Sequence, residues 1–132
     1  MCIQNGTLVK HSNAPSKDLD NPVMLLMQAM SGLGYVIVIQ DYIGFGASEA
    51  YPHPYHVKAF FQSTVKDMLL ATQEMAESAE YPFQLSGELF LTGYSLGGWA
   101  SLVSHNHLEN DPIDGFTLIG SVCGAGAYNL LD

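Results

Sequence analysis

Arginine is absent from the 132 residues, and only four lysines oppose 13 acidic side chains, which gives a formal net charge of −9. A chain without a basic patch has little electrostatic attraction for the phosphates of nucleic acid or for an anionic membrane surface. We therefore expect no nucleic-acid partner.

Cysteine is also scarce. Cys2 and Cys123 stand near opposite ends of the chain, and their separation matches neither a zinc site nor a disulfide framework. Both are predicted to be small buried apolar residues. His53 and His56 form a pair three residues apart without a third ligand, which is a weak pattern for a metal. The sequence therefore predicts no metal site.

Long hydrophobic runs are missing as well. No apolar stretch approaches the roughly 20 residues that a membrane-spanning helix needs, so no transmembrane segment is expected. The first residues lack the basic region and apolar run of a secretory signal, so the sequence itself indicates no compartment. With 48% hydrophobic residues and no shift in composition, residues 1–132 are predicted to form one domain or part of one.

What the sequence does contain is a regular alternation of strand-like and helix-like segments. Residues 35–40 form a continuous β-branched run, which is typical of a strand covered on both faces in a parallel sheet. Residues 116–122 have the composition of another buried strand. The alternation predicts an α/β fold, a mostly parallel sheet with helices on both faces. The predicted strands are 1–4, 35–40, 89–92 and 116–122, and the predicted helices are 22–30, 56–78 and 95–107.

The strongest chemical pattern is Gly-x-Ser-x-Gly, formed by Gly93, Ser95 and Gly97 between a predicted strand and a predicted helix. At such a sharp turn the serine is strained, and side chains two positions away would collide with the neighbouring strand and helix. The turn would expose the Ser95 hydroxyl, and the backbone N–H of Leu96 could face a developing oxyanion. The alternative is a glycine-rich turn that merely lets a helix pack close to a strand.

A second oxyanion donor in folds with this turn comes from the loop after an earlier strand, and residues 5–7 (Asn-Gly-Thr) are the segment placed to supply it. The candidate is the backbone N–H of Thr7. The alternative is that Gly6 is an ordinary turn glycine.

A serine nucleophile needs a histidine base that is oriented by a carboxylate, and both follow the serine in this arrangement. His105 and His107 lie on the helix that begins at the serine, and Asp111 and Asp114 lie at the opposite end of the predicted sheet. Asp132 is the last residue. Three further histidines, His11, His53 and His56, precede the serine. We therefore expect the acid and the base to lie beyond residue 132.

Two other features have structural explanations. Asp41 follows a predicted strand and could be read as a catalytic acid, but we expect it to order its own glycine loop by accepting backbone N–H bonds. The aromatic residues Tyr51, Tyr55, Phe60 and Phe61 are predicted to form core or pocket wall.

Several ordered motifs together resemble the secretory lipase group of the α/β-hydrolases. They are residues 5–7, 13–16, 34–46 with Asp-Tyr-Ile-Gly-Phe-Gly at their end, 53–55 (His-Pro-Tyr), 67–68 and 93–98 (Gly-Tyr-Ser-Leu-Gly-Gly). The resemblance covers nearly the whole chain but only the middle of a family member. It differs at two positions, because Asn5 stands where such proteins usually have histidine and Leu96 where they have glutamine.

The resemblance implies a serine carboxylester hydrolase, an esterase or lipase that forms an acyl-enzyme on Ser95, with Leu96 and Thr7 in its oxyanion hole and no cofactor. It implies a small ester or lipid substrate and action outside the cytoplasm, secreted or periplasmic. Two alternatives stay open. One is a peptidase or acyltransferase with the same turn, and the other is an inactive module whose exposed sheet edges pair with another chain.

Overall fold

A computed structural model describes residues 1–129, which form a four-stranded sheet. The strands are β1 (Cys2–Gln4), β2 (Val38–Ile39), β3 (Glu88–Tyr94) and β4 (Thr117–Gly124). They lie in the order β2-β1-β3-β4, and every neighbouring pair is parallel. The predicted parallel sheet is therefore confirmed.

Three α-helices connect the strands: α1 (Pro22–Ser31), α2 (Lys58–Glu77) and α3 (Leu96–Asn110). Two short 3₁₀ turns, His11–Asn13 and Gly46–Ser48, lie in the loops. The start of α1 follows from local chemistry, because the Asn21 side chain accepts hydrogen bonds from the N–H groups of Val23 and Met24. Among the described residues, no helix combines the length and hydrophobicity that crossing a bilayer requires.

Helices α2 and α3 pack together against one face of the sheet, which puts the core there. The cluster between both helices and the strands contains Cys2, Val65, Leu69, Leu89, Leu91, Leu108 and Ile113. A second cluster lies nearer the carboxyl ends of the strands and contains Ala14, Tyr42, Phe45, Phe61, Leu96, Trp99, Ala100 and Val103. The second cluster anchors the loops that surround residue 95.

Helix α1 lies beside the other side of the sheet. Ile39 pairs with Ile3, and side chains alternate along a strand, so both project away from the face that carries Cys2. Ile37 and Ile39 line a cavity of about 400 Å³ together with Met24 and Met27 of α1.

Both outer strands are more exposed than their composition predicts. The predicted strand 35–40 has only two paired residues, Val38 opposite Cys2 and Ile39 opposite Ile3. The prediction that this strand is covered on both faces is wrong, since Val38 and Ile39 are half-buried. The predicted burial of the last strand is also wrong, since Ile119 is 49% and Val122 is 72% exposed. Among the described residues, β4 has a neighbour on one side only.

Candidate active site at the turn between β3 and α3

Ser95 is the single residue between β3 and α3, and its backbone has φ 58° and ψ −121°. A positive φ is uncommon for a residue with a side chain and is maintained only when the surroundings impose it. Two hydrogen bonds do so. The Ser95 N–H donates to the carbonyl oxygen of Gly124 at 2.8 Å, and the Trp99 N–H donates to the carbonyl oxygen of Ser95 at 3.2 Å. The side chain of Ser95 is exposed.

The glycines around Ser95 are required by close backbone approach. A Cβ atom on Gly93 would lie 2.4 Å from the carbonyl oxygen of Gly97, and a Cβ atom on Gly97 would lie 2.1 Å from that of Gln4. Gly98 is equally restricted, because its Cβ atom would lie 2.3 Å from the carbonyl oxygen of Gly124. The sequence pattern gave no reason for Gly98, since its contact comes from a strand 26 residues later in the chain.

Leu96 is the first residue of α3 and is buried. The first N–H groups of a helix have no partner within the helix, and they form the positive end of its dipole. The Ser95 side chain makes no capping hydrogen bond to them. The start of α3 therefore offers backbone N–H groups beside an exposed hydroxyl.

The loop of residues 5–7 leaves the neighbouring strand β1 beside this turn. Gln4 pairs with Gly93, and a Cβ atom on Gly6 would lie 3.6 Å from the carbonyl oxygen of Tyr94. Thr7 is exposed. The fold therefore brings Thr7 and Ser95 to the same end of adjacent strands, as the sequence predicted for the segment.

Three hydrogen bonds hold this loop, and each comes from the segment after β2. Asn5 donates through Nδ2 to the carbonyl oxygen of Gln40 at 2.9 Å, and the Tyr42 hydroxyl donates to the carbonyl oxygen of Asn5 at 2.8 Å. The Thr7 Oγ1 and Tyr55 hydroxyl oxygens are 2.9 Å apart. Asn5, which differs from the residue usual in the resembled group, thus ties the loop to the end of β2. Burial raises the pKa of Tyr42, which therefore stays protonated and able to donate.

His56 lies next to Tyr55 and contacts the first turn of α3. Its φ is 57°, and its ring centroid is 4.4 Å from that of Tyr55 and 4.5 Å from that of Trp99. Its Nδ1 atom is buried and has no hydrogen-bond partner among the described residues. Burial, and then the nearby His53, lower the pKa of His56 below its ordinary value. Sequence reasoning did not predict that His56 packs against α3, because the His-x-x-His spacing indicates only a possible metal ligand pair.

The remaining histidines and carboxylates lie elsewhere. His105 and His107 are on the last turns of α3, with Glu109 and Asp111 as their acidic neighbours at 3.4 and 3.7 Å. His105 lies ten positions after Ser95, or about 15 Å along the helix axis. A hydrogen bond from Lys66, and then its charge, lower the pKa of Asp111. Asp132 lies outside the described residues.

Asp41 has a structural role, although its partner differs from the prediction. Its carboxylate accepts hydrogen bonds from the N–H and the hydroxyl of Ser16, so it joins the loop after β2 to the loop before α1. The prediction that Asp41 accepts hydrogen bonds from the N–H groups of its own glycine loop is wrong. Gly46 is nevertheless required beside it, since a Cβ atom there would collide with the carboxylate.

The surroundings of the turn contain a cavity that Ser95 does not reach. A cavity of about 410 Å³ adjoins the loop and is lined by Gly6, Thr7 and Leu8 and by Val23 and Met24 of α1, whereas Ser95 does not line it. Within residues 1–129, no three side chains of histidine, cysteine, aspartate or glutamate are grouped to hold a metal ion.

Solved structures with the same fold are hydrolases. A protein from Legionella pneumophila that is provisionally named a hydrolase has 31% identity and a TM-score of 0.81, over 95% of this chain and 33% of its own. LipA from Xanthomonas oryzae, described as a rice cell wall degrading esterase, has 28% identity and a TM-score of 0.79, over 96% of this chain and 33% of its own. The chain thus spans about a third of the length of these proteins. No curated protein sequence is significantly similar.

The family model for serine aminopeptidase S33 matches residues 22–131. That range includes β2, β3, β4, all three helices and the turn at Ser95. The chain therefore belongs to the serine aminopeptidase S33 family of α/β-hydrolases.

Proposed function

We propose that Ser95 is the nucleophile of a serine carboxylester hydrolase to which this chain contributes the turn and the oxyanion loop. One observation carries the proposal: an exposed hydroxyl stands on a residue of positive φ, between a strand and the uncapped start of a helix. That backbone strain is maintained by glycine contacts on both sides, and strain of this kind is concentrated at functional sites.

The reaction follows from this geometry. The Ser95 Oγ attacks the ester carbonyl carbon, its proton passes to a base, and the carbonyl oxygen becomes an oxyanion. The N–H groups of Leu96 and Thr7 stabilise that oxyanion. The C–O bond to the alcohol then breaks, the protonated base returns the proton to the leaving alcohol, and water hydrolyses the acyl-enzyme by the same steps.

The base and its orienting carboxylate are proposed to lie outside this chain. His105 and His107 are too far from Ser95 to serve, because both lie at the far end of α3, where each is beside an acidic residue. His11 packs against Phe45, and the Nδ1 atom of His53 lies 2.7 Å from the carbonyl oxygen of Ile43. The related structures are about three times as long as this chain, which leaves room for both groups.

The test uses the complete protein that contains this chain and a fluorophosphonate probe, which labels activated serines. We expect labelling at Ser95, with loss of labelling and of p-nitrophenyl ester hydrolysis in Ser95→Ala. Ser63→Ala is the matched control, because its exposed hydroxyl only bonds the carbonyl of Phe60 on α2. Undiminished hydrolysis by Ser95→Ala would refute the proposal. The 132-residue chain alone should react far more slowly than the complete protein.

A second candidate is amide hydrolysis or acyl transfer at the same serine. The description of the matching family, serine aminopeptidase, favours the amide, whereas the esterase name of LipA favours the ester. Comparing aminoacyl p-nitroanilides with p-nitrophenyl esters on the complete protein separates the two, and we expect kcat/KM to be greater for the ester.

The third candidate is an inactive module that pairs with another chain. The outer position of β4 and the exposure of Val122 support pairing at that edge. Sedimentation of the 132-residue chain tests this candidate, and a well-folded monomer without a partner or ester turnover would contradict it.

A further inference from the structure

We infer that Tyr55 is a positioning residue that fixes the proposed oxyanion loop through Thr7. The inference rests on the proposed function, because it concerns the same reaction. Tyr55 is not one of the reacting groups of the proposed reaction. It acts on the loop whose backbone N–H is proposed to bind the oxyanion.

The hydrogen bonds of the loop single out Thr7 as the end that depends on one contact. Asn5 is held twice, through its side chain to the carbonyl of Gln40 and through its own carbonyl by the Tyr42 hydroxyl. Thr7 is two residues further from β1 and is exposed. Its side chain is held by the Tyr55 hydroxyl at 2.9 Å. Removing that hydroxyl frees the Thr7 side chain and leaves Asn5 in place.

Tyr55 can hold the loop in place because the chain on both sides of it is itself fixed, at His53 and at His56. Its own N–H donates to the carbonyl oxygen of His53 at 2.9 Å, and the Nδ1 atom of His53 lies 2.7 Å from the carbonyl oxygen of Ile43. On the other side, His56 is held in a left-handed conformation against Trp99 of α3. The phenol therefore links the loop after β1 to the helix that begins at Ser95.

This link connects the two proposed oxyanion donors. One is Leu96 at the start of α3, and the other is Thr7 on the loop. An oxyanion hole requires its donors to be placed within a fraction of an ångström, and loss of one donor costs about 10²–10³ in kcat. A donor that is loosened but still present should cost less, and we expect roughly a tenfold fall in kcat.

The experiment is a double-mutant cycle in the complete protein, with kcat and KM measured on a short-chain p-nitrophenyl ester. Tyr55→Phe and Thr7→Val each remove one hydroxyl and keep the shape of the side chain. We expect each variant to lower kcat about tenfold with KM nearly unchanged, and the double variant to be no worse than either single one. Thr7→Ser keeps the hydroxyl and should restore most of kcat. Tyr81→Phe, at the other end of the sheet, is the matched control.

Each other outcome contradicts the inference. Multiplicative losses in the double variant would mean that the two hydroxyls act separately, and an unchanged kcat in Tyr55→Phe would mean that the contact has no effect on the reaction. A loss in Tyr55→Phe without one in Thr7→Val would mean that Tyr55 acts elsewhere. Failure of the proposed function is recognised independently, since Ser95→Ala would then retain activity whatever the cycle shows.

Discussion

Gly97 lies so close to Gln4 that a Cβ atom added to the glycine would stand 2.1 Å from the glutamine carbonyl oxygen. The contact joins the first turn of α3 to the end of β1, the strand that carries the proposed oxyanion loop. The absence of a side chain at Gly97 therefore allows α3 and β1 to lie close together at the candidate site.

Substitution of Gly97 should be costly for stability. Gly97→Ala forces backbone to move, and we expect it to lower the free energy of unfolding by about 3 kcal/mol or more. Gly120→Ala is the control, because a Cβ atom there meets nothing within 4 Å, and it should change stability by less than about 1 kcal/mol. Urea denaturation measures both. Equal effects of the two substitutions would contradict the steric explanation.

The buried amides of Gln4 and Gln40 should depend on each other. Gln40 donates through Nε2 to Oε1 of Gln4 at 2.6 Å, and both side chains are buried. Gln40→Leu leaves the Gln4 oxygen without its donor, which should cost about 1–3 kcal/mol. The double variant Gln4→Leu/Gln40→Leu removes both polar groups and should recover part of that loss. A double variant that is as destabilised as the sum of the single ones would show that the amides act independently.

The two thiols should differ in reactivity. Burial raises the pKa of Cys2 to about 12, so almost no thiolate is present at neutral pH. Cys123 is only half-buried. We expect iodoacetamide at about pH 8 to modify Cys123 much faster than Cys2 under native conditions, and both at similar rates in denaturant. Peptide mapping by mass spectrometry gives the two rates, and fast native modification of Cys2 would contradict its burial.

His56 should make stability depend on pH. Its pKa is lowered in the folded state from an ordinary value of 6.5, so the unfolded state binds more protons as the pH falls below that value. The free energy of unfolding should therefore decrease as the pH falls through about 6.5. His56→Asn keeps a residue that tolerates positive φ and should flatten this dependence. The measurement is urea denaturation at several pH values, and an unchanged profile in the variant would assign the effect to other groups.

The sequence predicted the elements whose signals are local. The alternation of strands and helices and the strand–Ser95–helix order both agree with the structure. Each depends on residues within a few positions of one another, so local composition and periodicity suffice to find them. The catalytic role of Ser95 stays a prediction, and so does the placement of its acid and base outside the described residues.

Features that depend on distant partners could not be predicted. The two residues of β2 pair with Cys2 and Ile3 of β1, and the role of Asp41 is set by Ser16, 25 positions away. The bond between Thr7 and Tyr55 spans 48 positions. No local pattern encodes such a pairing, since many hydroxyl groups in the sequence could have formed it. Gly98 was overlooked for the same reason, because its neighbour is Gly124.

Trp99 is the one tryptophan of the 132 residues, and it is 4% exposed with its ring centroid 4.5 Å from that of His56 and 5.2 Å from that of Phe61. The backbone N–H of Trp99 also donates to the carbonyl oxygen of Ser95. Indole emission therefore originates one helical turn from the serine and beside a titratable imidazole. The chain thus carries an intrinsic optical reporter, whose intensity and wavelength follow the packing of this region without an added dye.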